Sequence, residues 1–326
     1  MKRKLFLFLR KYNIFPDWFM KFMELVNAVL FHWDGRQHMT HPGNEDPDKI
    51  YYVIRSASRV EGLCSLYLTK GLSSAAWAEK RGYIPFIDFS SPAECQYCSD
   101  QEILGTNNAW EYYFEQPSGV TREEIRRKKN VLLSGWTVRE EKDYISAEFE
   151  NLDEKSIKRA IDRCKVKQYL WALADEKKNV FMNDGKTLGV LIRGTDYTAL
   201  KPKGHSVQPN VGQVVAKIKE FQGKYDIAHV LVVTEDRNIF LRVREEIGEI
   251  VFSCDEHWAG EYKANDYVES SIQGDGYERG LDYLVRLLLL SQCDYVVAGI
   301  TSGTAFAVAQ NGHKWKDEYF FRLGKY

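Results

Sequence analysis

The stretch Leu188-Gly189-Val190-Leu191-Ile192-Arg193-Gly194-Thr195-Asp196-Tyr197, followed by Lys201-Pro202-Lys203-Gly204-His205 and Gln208-Pro209, decides how this chain is read. An apolar run rich in Val and Ile predicts a buried strand that ends on an arginine inside a polar, glycine-bearing turn. Apolar residues then return at helical spacing at Val211, Val214, Val215, Ile218 and Phe221. Pro209 lies near that helix start, where its missing N–H costs nothing. The order is strand, charged loop, helix. In an open α/β sheet such a loop lies at the carboxyl end of a strand, where ligands bind. Arg193 can grip a phosphate through two parallel hydrogen bonds, and Lys201, Lys203 and His205 add positive or titratable groups nearby. The loop predicts a site for an anionic ligand, with a nucleotide the first choice.

The flanking sequence repeats the pattern. Residues 229–233 read as a strand ending at Thr234-Glu235-Asp236, then a helix over 239–247 and a strand over 250–252. A long apolar helix over 279–291 precedes a strand over 295–298. The small-residue turn Gly299-Ile300-Thr301-Ser302-Gly303-Thr304 opens a helix over 305–309. Earlier, strands are predicted over 51–54, 83–88 and 130–134. The turn Glu61-Gly62-Leu63-Cys64-Ser65 leads into a helix capped at Gly82, and a charged helix over 154–178 bridges the halves. Alternating β and α elements imply parallel sheets with right-handed crossovers. The Arg193, Glu235 and Thr301 loops therefore emerge on one rim. Thr301, Ser302, Gly303 and Thr304 suit a phosphate cradle at a helix N-terminus, and Glu235 and Asp236 suit sugar or ribose hydroxyls.

At 326 residues the chain predicts two domains. Its divisions are an N-terminal helical extension and linker over 1–49, an acceptor-side unit over 50–178 and a donor-side unit over 179–326. A net charge of −1 gives no global basic field for nucleic acid, so an anion site must be local. Cys64, Cys95, Cys98, Cys164, Cys254 and Cys293 are scattered and follow no secretory leader, which implies a reducing, cytoplasmic setting. Cys95 and Cys98 form a lone C-x-x-C and read as ordinary loop thiols. His38 and His41 complete no ligand set, and Asp46-Pro47-Asp48 reads as a turn. Residues 1–33 carry Lys2, Arg3, Lys4 and Arg10 among Leu and Phe. Lys11, Asp17, Lys21 and Glu24 leave no uninterrupted apolar run of about 20 residues, as a membrane span needs. The segment fits an amphipathic helix, packed on this protein or a second copy, or lying on an anionic membrane face.

Residues 190–197 resemble the V-H-[VI]-R-[RG]-x-D-[KY] motif of the GDP-fucose-using glycosyltransferases of GT-B fold. Val233-Thr234-Glu235-Asp236 resembles their T-[DE]-D motif. Leu290-Ser291-Gln292-Cys293-Asp294-Tyr295-Val296-Val297, with Thr301-Ser302 following, resembles their third motif. The resemblance covers about residues 50–326 and implies an α/β architecture of two Rossmann-like parallel-sheet domains facing a cleft. It implies that Arg193 holds a donor pyrophosphate, that Ser302 and its neighbours bind donor phosphates, and that Glu235 and Asp236 face the donor. Glu61 matches a base of one protein O-fucosyltransferase branch. The family needs no metal or further cofactor, the GDP-sugar being a co-substrate. Three positions depart from its pattern: Leu191 stands for a His, Gly194 for a second Arg present in some relatives, and Arg286 for a carboxylate linked to guanine.

The activity so implied is inverting transfer of fucose or a related sugar to a glycan or polysaccharide hydroxyl. It requires a general base and stabilisation of the leaving diphosphate. Glu61 is the first candidate base, His205 the second and Asp196 the third. Tyr197, Lys201 and Lys203 complete the expected donor contacts, and the acceptor is expected against residues 107–113. The other readings are a transferase using a different nucleotide sugar and a nucleotide-sugar-binding module without catalysis.

Overall fold

The computed structural model describes residues 37–56, 61–92, 94–135, 162, 165–201, 203–254, 258–259 and 274–326, with the side chains of 195–197 excepted. The expectations for residues 1–33 and for the start of the helix over 154–178 lie outside the described residues. In chain order the elements are β1 (His38–Thr40), β2 (Tyr51–Arg55), α1 (residues 63–80), β3 (Ile84–Asp88), α2 (Ala109–Tyr113), α3 (Arg122–Arg127) and β4 (Val131–Leu133). Then follow α4 (Gln168–Phe181), β5 (Lys186–Leu191), α5 (Thr195–Leu200), α6 (Val211–Lys224), β6 (Ile227–Val233), α7 (Arg237–Ile247) and β7 (Val251–Phe252). The last are α8 (Gly276–Ser291), β8 (Tyr295–Gly299), α9 (Ser302–Asn311) and β9 (Asp317–Phe321).

Two sheets result. The first has the order β1-β4-β2-β3, with β4, β2 and β3 parallel and β1 antiparallel at the edge. The second is wholly parallel, in the order β7-β6-β5-β8-β9. Alternation explains why its strands read as unbroken apolar runs. Val190, Val232 and Val297 face one buried cluster with α6, while Leu191, Leu231, Val233, Val296 and Ala298 face another. That second cluster is shared with the first sheet and its helices, through Ile54 of β2, Tyr67 of α1 and Trp110 of α2, with Tyr67 meeting Phe306 of α9.

Helix α8 is the central beam, packed on α4, α9, α2, β5 and β6. Gly189 lets it approach: a Cβ there would stand 2.5 Å from Leu290 Cδ1 and 2.9 Å from Cys293 Sγ. Helix α6 starts at a capping box, Asn210 accepting from the Gln213 N–H and Gln213 from the Asn210 N–H. The glycine cap after α1 holds, with Gly82 at φ +73°.

Four expectations are corrected. Residues 38–40, assigned to the linker, form edge strand β1, held by β4 through the pairs His38–Leu133 and Thr40–Val131. Residues 107–113 are not irregular loop, because 109–113 form α2. Asn108 caps α2 and bonds Phe89 and Ile87, while Trp110, Tyr112 and Tyr113 are buried. The predicted helix over 154–178 is interrupted, since Val166 bridges Phe114 before α4 begins. Helix α1 is wound as a π-helix over Leu66–Leu72, where one α-helix was predicted.

Candidate functional site: the carboxyl edge of the second sheet

Strand order in the second sheet reverses between β5 and β8, because the chain runs outward from β5 to β7 and then returns to β8. Ligands of open parallel sheets bind outside the carboxyl ends of strands at such a switch point. The loop after β5 carries Arg193 and the loop after β8 carries Thr301–Thr304, so the two flank it.

Glu235, at the end of neighbouring β6, organises the Arg193 loop. Its Oε2 lies 3.4 Å from Arg193 Nε, and its Oε1 accepts the Gly194 N–H at 2.9 Å. The side chains of the pair are 16% and 8% exposed, so this carboxylate is committed to the loop. Asp236 is also committed: its Oδ1 accepts the N–H groups of Asn238 and Ile239 and caps α7. The expected acidic pair therefore shapes the loop and the helix beside it. Gly194 is required by the same packing, since a Cβ there would stand 2.6 Å from Ile239 Cδ1 and 3.1 Å from Asp236 Oδ2.

Opposite, Thr301 caps α9. Its hydroxyl accepts the Thr304 N–H at 3.1 Å, and the Thr304 hydroxyl donates to the Gly299 carbonyl at 2.5 Å. These bonds fix a helix N-terminus whose first N–H groups belong to Ser302 and Gly303. Gly299 lets Gln208 pass close, with Pro209 Cδ 3.2 Å from where a Cβ would be. Gln208 Nε2 donates to the Ile300 carbonyl at 3.0 Å and the Ser206 carbonyl at 3.1 Å, tying the long Arg193 loop to the Thr301 loop.

Between them the chain turns through α5, which Thr195, Asp196 and Tyr197 open, and Lys201 at φ +44°. Lys201, Lys203 and His205 are exposed. This outer loop is laced to residues 324–326: Gly204 N–H donates to the Tyr326 carbonyl, Val207 N–H to the Gly324 carbonyl and Tyr326 N–H to the His205 carbonyl.

The turn preceding α1 reaches the same place. The first turn of α1, Leu63–Ser65, packs on α9, and burial pushes the Cys64 thiol up, opposed by nearby Tyr283 and Arg193. Glu61 begins this turn. Burial pushes its carboxyl above the usual range, opposed by Ser65, Lys70 and Thr69. The Ser65 hydroxyl donates to Glu61 Oε1 at 3.0 Å and the Thr69 hydroxyl at 3.4 Å, so the half-buried carboxylate is also oriented.

Sequence reasoning missed Gln208, Tyr283 and the place of Arg286. The last two are three apart on α8, a spacing that puts them on one face, and this was the available signal. Cys95 and Cys98 are in no disulfide, and Cys98 donates to the Phe89 carbonyl at 3.1 Å. His41 Nδ1 lies 2.9 Å from the Lys129 carbonyl, and Asp46-Pro47-Asp48 is a turn. Among the described residues no three His, Cys, Asp or Glu side chains cluster as metal ligands, and no helix is long and apolar enough to cross a membrane.

Two Rossmann-like, mainly parallel sheets, the second with a switch point between β5 and β8, form a GT-B architecture. Among solved structures, the chain is similar to NodZ alpha-1,6-fucosyltransferase soaked with GDP-fucose, at 13% identity and a TM-score of 0.51 over 80% of this chain and 92% of that one. It is also similar to NodZ co-crystallised with GDP, at 15% identity and 0.50 over 79% and 91%, and to fucosyltransferase NodZ from Bradyrhizobium, at 15% and 0.50 over 79% and 92%. The likeness supports the GT-B fold that the resemblance of the three motifs implies. No protein-family model and no curated protein matches by sequence.

Proposed function

We propose that this chain is an inverting, metal-independent glycosyltransferase that moves fucose or a related sugar from a GDP-sugar to a glycan or polysaccharide hydroxyl. The observation that carries the reading is the Arg193–Glu235–Gly194 clamp facing the capped N-terminus of α9 across the switch point. A fixed guanidinium and two backbone N–H groups suit a diphosphate whose negative charge grows as the sugar departs. NodZ, of similar fold, has been crystallised with GDP and soaked with GDP-fucose, which supports the same donor class here.

Glu61 is the general base. A carboxylate raised by burial is closer in basicity to a hydroxyl donor than an ordinary one, and its orientation by Ser65 and Thr69 keeps one oxygen in a set direction. It takes the acceptor proton as the hydroxyl attacks the anomeric carbon, and the GDP leaves from the opposite face, so configuration inverts. His205 and Asp196 stand behind it as second and third choices. Residues 179–326 serve as the donor side and residues 50–178 as the acceptor side of a cytoplasmic protein, with residues 1–33 available for a membrane face.

The test is release of GDP from GDP-fucose by the purified chain, with and without a glycan acceptor. Turnover that Arg193→Ala abolishes supports the proposal. A chain that binds GDP and never turns over the sugar refutes transfer, and protection against thermal unfolding by UDP but not GDP refutes the donor.

A further inference from the structure

Behind the Arg193 loop lies a second, fully buried guanidinium. Arg286 on α8 is 5% exposed. Its Nη2 stands 3.3 Å from Asp282 Oδ2, one helical turn back, and its Nε donates to the Asp282 carbonyl at 3.3 Å. Its Nη1 donates to the Thr234 carbonyl at 3.4 Å. Thr234 is the residue before Glu235, whose carboxylate holds both Arg193 and Gly194. Burial is the main cause that lowers Arg286 to about 10, with Arg193 acting in the same direction and the charge of Glu235 the largest influence opposing them. All three charges therefore sense one another. Tyr283, one face-turn earlier, reaches from the same helix to Gly303 and Cys64.

A guanidinium taken out of water is costly unless its charge and donors are answered. Here the answer is the turn that aims Arg193. We propose that Arg286 is a positioning residue for the anion clamp: anchored through its Nε on the Asp282 backbone carbonyl, it holds the Thr234 carbonyl and balances Glu235, so that Glu235 keeps Arg193 directed at the ligand phosphates. The proposal rests on the reading of the Arg193 loop as a diphosphate site. Arg193, Glu235, Arg286 and Asp282 sum to zero formal charge. Loss of Arg286 leaves the cluster negative beneath an anion site, while loss of the Asp282 charge leaves it positive. A merely structural role makes both variants bind worse; the charge chain makes them differ in sign.

The experiment is calorimetric titration of the full chain with GDP, UDP and inorganic pyrophosphate, with uncharged guanosine as control, on the wild type, Arg286→Met, Arg286→Lys and Asp282→Asn. Arg286→Met is expected to lose about tenfold in affinity for the diphosphates, the size a unit charge has at this range in a protein interior, while guanosine binding is unchanged. Arg286→Lys recovers most of that loss, and Asp282→Asn binds the diphosphates at least as tightly as the wild type. Should Arg286→Met not fold, the Lys and Asn variants decide the matter between them. Equal diphosphate affinity in Arg286→Met and wild type, or parallel losses in Asp282→Asn and Arg286→Met, overturns the proposal. A folded wild type that binds none of the three diphosphates overturns the underlying reading of the Arg193 loop, and the positioning role with it.

Discussion

Gly303 is the second residue of α9, in the turn whose N–H groups face the proposed diphosphate. A Cβ added there overlaps the Tyr283 hydroxyl, while Tyr283 Cζ and Leu287 Cδ2 stand at 3.4 and 3.5 Å, which is ordinary contact. The hydroxyl oxygen alone is the obstacle, and clearing it takes about 1 Å of movement, given normal non-bonded separations of 3.5–4.0 Å. Tyr283 is a stiff ring on the central helix, so it cannot yield all of that. The first turn of α9 must retreat for the remainder. Overpacking of this kind costs about 1–3 kcal/mol, and Ala in place of Gly within a helix returns up to about 1 kcal/mol. The net loss for Gly303→Ala is about 1 kcal/mol of stability. Hydrogen bonds to charged groups are worth about 1.5–3 kcal/mol each, so a retreating turn that weakens one of them lowers GDP affinity about tenfold to a hundredfold. Tyr283→Phe removes the obstructing oxygen and is expected to restore GDP binding when combined with Gly303→Ala. Urea unfolding and calorimetric titration of the two single variants and the double variant check this. A double variant that binds GDP as weakly as Gly303→Ala alone refutes the steric argument.

Arg193→Ala strips the partner from a carboxylate that is 8% exposed, and is expected to cost about 2 kcal/mol, less than a fully buried pair because Arg193 itself meets solvent. Adding Glu235→Gln removes the stranded charge and recovers about half of that in urea unfolding; no recovery means that Glu235 was already neutralised by other groups. Glu61→Gln is expected to abolish sugar transfer while leaving GDP binding intact. Because the folded carboxyl is raised, wild-type stability falls as pH climbs from the ordinary carboxylate value through the raised one, where the buried group must ionise. The Gln variant lacks that fall and is more stable than the wild type at neutral pH, whereas wild-type turnover declines as pH drops through the same window. Thermal unfolding and initial rates across pH 4–8 check both signs.

The parts of the fold legible in the sequence are those where both faces of a strand are buried. Runs such as 229–233 leave only a strand in an α/β context, and their carboxyl ends then place the loops. The edge strands β1 and β9 carry no such pattern. β1 is three residues, and β9 opens on Asp317-Glu318 and leaves Tyr319 exposed, so neither shows a two-residue period. Residues 107–113 misled because Asn looks like a loop former, when Asn108 turns its whole amide to capping and bracing. Arg193 and Glu235 were legible as a charged pair of loops, but not as partners, since their contact spans two strands that are separated by α5 and α6.

The same limit explains the departures from the resembled motifs. Gly194 looks, in sequence, like the loss of a second arginine from the anion grip. In the fold no side chain fits there, because α7 brings Ile239 and Asp236 against the backbone. Arg286 looks, in sequence, like the loss of a carboxylate that the resembled family links to guanine. In the fold it lies on the far side of the Thr234–Glu235 turn, within reach of the field of Arg193. The two changes are therefore complementary: closing the loop tightly over α7 excludes a cation at 194, and the compensating guanidinium enters from α8 beneath. On this argument Gly194→Arg, which restores the motif, does not rescue Arg286→Met for diphosphate binding, because the added side chain must displace the cap of α7 before it can reach the ligand.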